Sequence, residues 1–189
     1  MDQSFEALLV AQCSPTLAGV KPANLFSCRM SGPDEAERCV SHWSRQLEVC
    51  GISIRVLKIC ERTATSLVYV YRQRWLDAIV AQEPVQAFLT QMGYDKDQDT
   101  EGLLDQLSRR LCMEQDFPHE IGIFLGYPLE DVVGFIDNKG RNFTCCGCWK
   151  TYGDPAEAEK RFRIYQKCTL IYRKLFERGT PIIQLAVAA

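Results

Sequence analysis

Apolar residues recur along this chain in two rhythms. Over 33–50, Ala36, Val40, Trp43, Leu47 and Cys50 fall at steps of four and three, the spacing of one buried helical face. Ser31-Gly32-Pro33-Asp34-Glu35 opens that helix with a small capping residue, Pro in the first turn and acids at the positive end of the dipole. Gly51 ends it. The rhythm then shortens to two: Ile52, Ile54 and Val56 alternate with Ser53 and Arg55 through 52–60. The run 66–72 is equally rich in β-branched and aromatic residues. With the polar 61–65 between them, the two runs predict a β-hairpin covered by the preceding helix.

The same reading predicts helices over 73–81, 84–92 and 100–113, with 93–99 as a polar connection. The longest helix is expected over 155–178, where Ala158, Phe162, Tyr165, Tyr172 and Leu175 form an inner stripe and Lys and Arg take the other side. Residues 5–11 start a short helix that Pro15 and Gly19 punctuate, which puts Cys13 at a helix end or turn. Further strands are expected at 24–28, 120–125 and 182–187. A short helix follows at 128–136, and Asn138-Lys139-Gly140 reads as a turn. Strands scattered between helices predict an α+β fold: a single domain over 1–189, with a small mixed or antiparallel sheet containing the hairpin, covered by several helices. At 189 residues and 47% apolar, the chain can build a real core.

Composition excludes several function classes. The net charge is −2 and the pI about 5.8, without the basic footprint of a nucleic-acid binder. Charge is uneven, with acids concentrated over 95–120 and bases over 150–178, the pattern of solvated helical faces. The N-terminus lacks the basic and apolar regions of a secretory signal, and no apolar run approaches the roughly 20 residues of a membrane span. A cytoplasmic protein without membrane contact is expected. There, ten cysteines are thiols, metal ligands or redox groups rather than disulfides.

Motifs exclude more. His119-Glu120 opens like a zinc-protease helix, but the position four residues after His119 is Ile123. His42 and His119 are the only histidines, so one chain holds no three-histidine metal site. No phosphate loop, dinucleotide fingerprint or hydrolase elbow is present.

Candidate chemistry gathers in three segments. Cys145, Cys146 and Cys148 form the densest thiol cluster. Thiolates suit zinc, copper(I) or an iron–sulfur cluster, but a closed site needs a fourth ligand from Cys13, Cys28, Cys112 or His119. The same thiols suit redox or thiol-transfer chemistry, with a thiolate depressed by nearby Lys150 or a helix end, or they are plain exposed or packing thiols. Cys39, Cys50, Cys60 and Cys168 read as small buried hydrophobes. His119 is a general base, a ligand or a proton relay, or else it caps a carbonyl or pairs with Glu120. Gly126-Tyr127-Pro128 would put a helix N-terminus at the end of a strand, an anion or cofactor site. Lys21 and Asn24 flank Pro22 in a loop that reaches a phosphate or carboxylate, or are simply a solvent lysine and a turn asparagine.

CSPTLAGVKPANLF, FPHEIGIFLGYPLEDVVGFI, CCGCWKTYGD and a terminal strand ending in LAVAA together resemble one bacterial family. It is an uncharacterised family of domain-of-unknown-function proteins common in anaerobic gut bacteria. The resemblance implies one intracellular domain, an anaerobic host and no established activity.

These readings point first to a thiol- or metal-centred, redox-associated role in anaerobic metabolism, with a small molecule or a redox protein as partner. Its pocket is expected from the 13–24 loop, the 119–127 strand and turn, and the 145–148 loop. Cys13 and His119 would be the catalytic groups, Lys21, Asn24 and Tyr127 the cofactor contacts, and Cys145, Cys146 and Cys148 the ligands of zinc or an iron–sulfur cluster. Two other classes stay open. One is a non-catalytic adaptor or small-ligand binding module with structural cysteines. The other is an enzyme acting on an anionic small molecule, with His119 as base and Lys21 as electrostatic partner.

Overall fold

The computed structural model describes residues 4–30, 32–113 and 117–188. The first half runs α1 (Phe5–Leu17), β1 (Ala23–Arg29), α2 (Pro33–Leu47), β2 (Ile52–Cys60), β3 (Thr65–Arg72), α3 (Gln73–Val80) and α4 (Glu83–Gln91). The second runs α5 (Thr100–Met113), α6 (Ile121–Phe124), α7 (Leu129–Asp137), β4 (Cys145–Cys146), β5 (Lys150–Thr151), α8 (Pro155–Glu177) and α9 (Ile182–Leu185). The fold is α+β. Its contacts divide into two compact units, one of residues 1–75 with 167–189 and the other of residues 76–166. No helix among the described residues is long and apolar enough to cross a membrane.

In the first unit the predicted hairpin forms. β2 and β3 pair antiparallel from Ile52 opposite Arg72 to Cys60 opposite Thr65, and β1 adds antiparallel to the other edge of β3, giving the order β1-β3-β2. Ile52 and Ile54 are buried and the alternation holds until a bulge between Val56 and Lys58, where Leu57 is buried as well. Helix α2 covers one sheet face: Ala36, Val40 and Leu47 share a core with Ile52, Ile54, Val68 and Val70, and half-buried Trp43 packs against it. Gly51, at φ 69°, ends the turn after α2 in the left-handed conformation that glycine adopts without cost.

Two expectations fail here. Cys13 and Pro15 lie inside α1, which runs through to Leu17. Pro15 has no N–H for the Ala11 carbonyl four residues back, and the Arg173 guanidinium donates to that carbonyl instead, at 3.3 Å. The predicted strand over 182–187 is the short helix α9. Pro181 caps it, its carbonyl accepting from the Gln184 and Leu185 amides. Only Ile182 and Leu185, three residues apart, enter the core, so the burial step there is helical.

A helix leaves its last carbonyls without partners, and at the end of α1 each finds one. The Ser14 carbonyl accepts from the Ala18 amide and the Cys168 thiol; that of Pro15 accepts from the Val20 and Lys21 amides. The Thr16 and Leu17 carbonyls accept from the Arg72 guanidinium at 2.8 and 2.9 Å. The same guanidinium donates to Cys50 at 3.1 Å and to Val187 at 2.7 Å. Arg72 is 1% exposed. It ties the end of α1, the turn after α2 and the C-terminal tail to the end of β3. Replacing it with Met should take a donor from four carbonyls and leave those of Cys50 and Val187 without the guanidinium, while Thr16 and Leu17 keep the Gly19 and Val187 amides. A loss of roughly 3–5 kcal/mol in chemical denaturation is expected, and Arg72→Lys should recover little of it, because an ammonium cannot reproduce the planar fork.

The second unit carries α4, α5, α6, α7 and the β4–β5 ribbon. Here the strand predicted at 120–125 is the helical turn α6. All five residues from Ile121 to Leu125 are buried, and a continuous apolar run does not distinguish strand from helix by periodicity. Gly122 lets the corner of α6 and α7 close, since a Cβ there would lie 2.7 Å from Val132. Glu120, just before α6, is buried and pairs with Arg110 at 2.7 Å and with the Tyr94 hydroxyl at 3.2 Å.

Candidate functional site

The residues singled out from sequence fall in two groups, one per unit. In the first, Cys13 is fully buried on α1, and burial pushes its thiol well above the usual range while Lys21 draws it part of the way back. The Cys13 side chain packs in the core of the first unit. Lys21 is 5% exposed, not a solvent lysine. Asn24 lies in β1 rather than a turn, and its carbonyl oxygen accepts from the Thr16 hydroxyl at 2.7 Å. The Asn24 side chain thus ties β1 to the end of α1.

The second unit holds the richer arrangement. β4 and β5 form a two-stranded antiparallel ribbon in which Cys145 faces Thr151 and Cys146 faces Lys150, around a three-residue tip of Gly147, Cys148 and Trp149. Gly147 is required there because a Cβ would run into the Phe162 ring. The ribbon sits on an aromatic stack. Trp149 stacks on Tyr127 at 4.8 Å and meets Phe162 edge-on at 4.5 Å, with Tyr165 at 6.4 Å.

One buried carboxylate fixes the ribbon in place. Asp131, in the first turn of α7, accepts from the Trp149 indole N–H at 2.6 Å, from the Tyr152 amide at 2.7 Å and from the Gly153 amide at 3.0 Å. Asp131 is 3% exposed and points into the protein.

The strand pleat sends successive side chains to opposite faces. Cys145 goes inward, against the Trp149 and Phe162 cluster; Cys146 is exposed beside its cross-strand partner Lys150; Cys148 is exposed at the tip. The three thiols are thus spread over two faces and the tip. Among the described residues, no three His, Cys, Asp or Glu side chains form a group that could hold a metal ion. All ten cysteines are free thiols.

His119 is exposed in the turn before α6 and does not pair with Glu120, which Arg110 occupies. Its imidazole lies 5.9 Å from the Phe117 ring and meets Phe135 edge-on at 4.8 Å. Lys150 places its ammonium 5.8 Å from Phe135 and 5.0 Å from Phe143, and donates to the Gly140 carbonyl at 2.7 Å. Rings thus link His119 to Lys150, and the ribbon ladder links Lys150 to Cys146. Tyr127 follows Gly126, whose φ of 74° turns the chain between two helices. No strand precedes that turn, so the expected strand-to-helix anion site is not formed.

Sequence reading missed Phe135 and Phe143 and named Lys150 only as a neighbour of the cysteines. A usable signal was present: two short runs around Gly147 with a three-residue spacing, the mark of a hairpin.

A family model described as a protein of unknown function, DUF3793, matches residues 9–186. The chain belongs to the DUF3793 family. No curated protein and no solved structure matches it.

Two measurements probe how this DUF3793 chain builds its ribbon. Asp131→Ala leaves three donors without an acceptor and should cost roughly 2–4 kcal/mol. Hydrogen exchange should accelerate over 144–153 in that variant while the α2 and β2 amides keep their protection. Tyr127 gives a pH signature. Burial first, then the neighbouring Cys148 and Tyr165, push its phenol from 10.0 to about 12. The folded value lies above the unfolded one, so the stabilisation is complete below pH 10 and is lost as pH rises toward 12. Ultraviolet titration should show a late-ionising tyrosine that Tyr127→Phe removes.

Proposed function

We propose that this chain works through surface thiol chemistry on the β4–β5 ribbon, with Cys146 as the attacking sulfur and Cys148 as the resolving one. The supporting observation is the cross-strand pair of Cys146 with Lys150 in a hairpin anchored by a buried carboxylate. Directly opposed residues share a face of the ribbon, so a cation stands beside an exposed thiol. The Lys150 ammonium on that face draws an anionic disulfide toward the exposed thiol. The ribbon holds that pair on a rigid base rather than on a free loop.

The reaction balances as dithiol–disulfide exchange. The Cys146 thiolate attacks one sulfur of a partner's disulfide, forming a mixed disulfide and releasing the partner's other sulfur as a thiolate. Cys148 then attacks the Cys146 sulfur, closing a bond between Cys146 and Cys148 and releasing the second partner sulfur. Two electrons pass from the chain to the partner, and the two thiol protons go to the released sulfurs. The partner is a small disulfide or a redox protein, and a reducing intracellular compartment restores the dithiol.

Glutathione disulfide tests this directly. Cys112 is exposed on α5 and serves as an internal reference thiol. Cys146 should form the mixed disulfide with this anionic probe about tenfold faster than Cys112, measured by mass spectrometry of quenched samples. The adduct should accumulate in Cys148→Ser and clear in the parent chain. Equal rates at Cys146 and Cys112 would remove the reading.

A further inference from the structure

Among the described residues, the exposed large apolar side chains include two aromatic rings, Phe117 at 50% and Phe143 at 41% exposure. Both belong to the same cluster. Phe117 neighbours His119, His119 meets Phe135, and Lys150 lies over Phe135 and Phe143. Burying a phenyl ring is worth a few kcal/mol, so leaving both wet at one place is a cost the fold does not need.

Around Phe143 basic residues outnumber acids. Residues 135–150 contain Lys139, Arg141 and Lys150 against a single acid, Asp137, in a chain whose net charge is −2. Lys150 donates one bond to Gly140, and an ammonium carries three donors. The loop that displays Phe143 is also held unusually. Lys139 and Asn142 are non-glycine residues at φ 51° and 58°, with Gly140 at 70° between them. Such backbone persists only where the surroundings over-determine it. Here Lys150 holds the Gly140 carbonyl and the Tyr152 hydroxyl holds that of Arg141, at 2.7 and 2.8 Å. A Cβ at Gly140 would lie 3.0 Å from the Phe135 ring, so the close seat of ring and ammonium depends on this glycine.

We infer that the cluster of Phe117, His119, Phe135, Phe143 and Lys150 binds a planar aromatic anion, its ring stacked on the exposed phenyls and its anionic group at the Lys150 ammonium. Phenyl faces stack on planar rings whatever their substituents, and the cation supplies the charge selection. A nucleoside phosphate and an aromatic carboxylate share this chemistry. The inference deepens the thiol reading by naming what lies beside Cys146, and rests on it only for what befalls the ligand, not for its binding.

The experiment titrates the full chain by calorimetry with four probes: adenosine monophosphate, benzoate, adenosine and inorganic phosphate. At least one ring-bearing anion should bind about tenfold more tightly than both adenosine and phosphate. Which of the two binds assigns the anion as phosphate or carboxylate. Phe143→Ala and Phe117→Ala should each weaken that binding about tenfold with unchanged melting curves, since both rings are exposed. Cys146→Ser should bind as the parent does, so a failed exchange reaction and a failed binding site register separately. Absence of binding by both ring-bearing anions, equal binding of phosphate alone, or full binding in both phenylalanine variants would overturn the inference.

Discussion

A guanidinium buried among backbone carbonyls organises the first unit. Arg72 stands at the last position of β3 and spends its planar fork on four backbone carbonyls from three places in the chain: Thr16 and Leu17, Cys50, and Val187. A buried charge costs several kcal/mol unless its donors are met. Carbonyl dipoles at the end of a helix meet that need, because α1 presents its negative end there. The consequence is topological. The first helix, the hairpin and the C-terminal tail, far apart in sequence, must close on one side chain, and the Val187 amide returns the bond to Leu17 at 2.9 Å.

The second unit uses the opposite charge in the same way. Asp131 is a buried carboxylate whose three described donors are neutral N–H groups, of Trp149, Tyr152 and Gly153. It fastens the short ribbon to α7, a ribbon too small to be stable by itself. What the ribbon then displays follows from its pleat. One thiol turns to the aromatic stack, and another turns out beside Lys150. Within this unit the exposed thiol, the Lys150 ammonium, the His119 imidazole and two exposed rings thus come from the ribbon and the segments beside it.

Much of the frame was readable from residue order. The steps of four and three from Ala36 to Cys50, the alternation from Ile52 to Val56 and the polar 61–65 link placed α2, β2 and β3 correctly, and the stripe of α8 did the same for the longest helix. The wrong elements share a cause. Residues 121–125 are buried on every side, and 182–187 alternate only weakly, so neither carries a period that separates helix from strand. Pro15 looked like a terminator; Arg173, more than 150 positions away, supplies the missing donor.

Sequence by itself determined the α+β class, the covered hairpin, the longest helix and the free thiols. These follow from periodicity and composition, which are local. Tertiary structure decided which residues meet. It buried Cys13, gave Glu120 to Arg110 rather than to His119, parted Cys145 from Cys146 by the pleat, and set Lys150 between two rings. Such choices turn on partners far away in the chain and on which face a side chain leaves, and residue order carries neither until the backbone has closed.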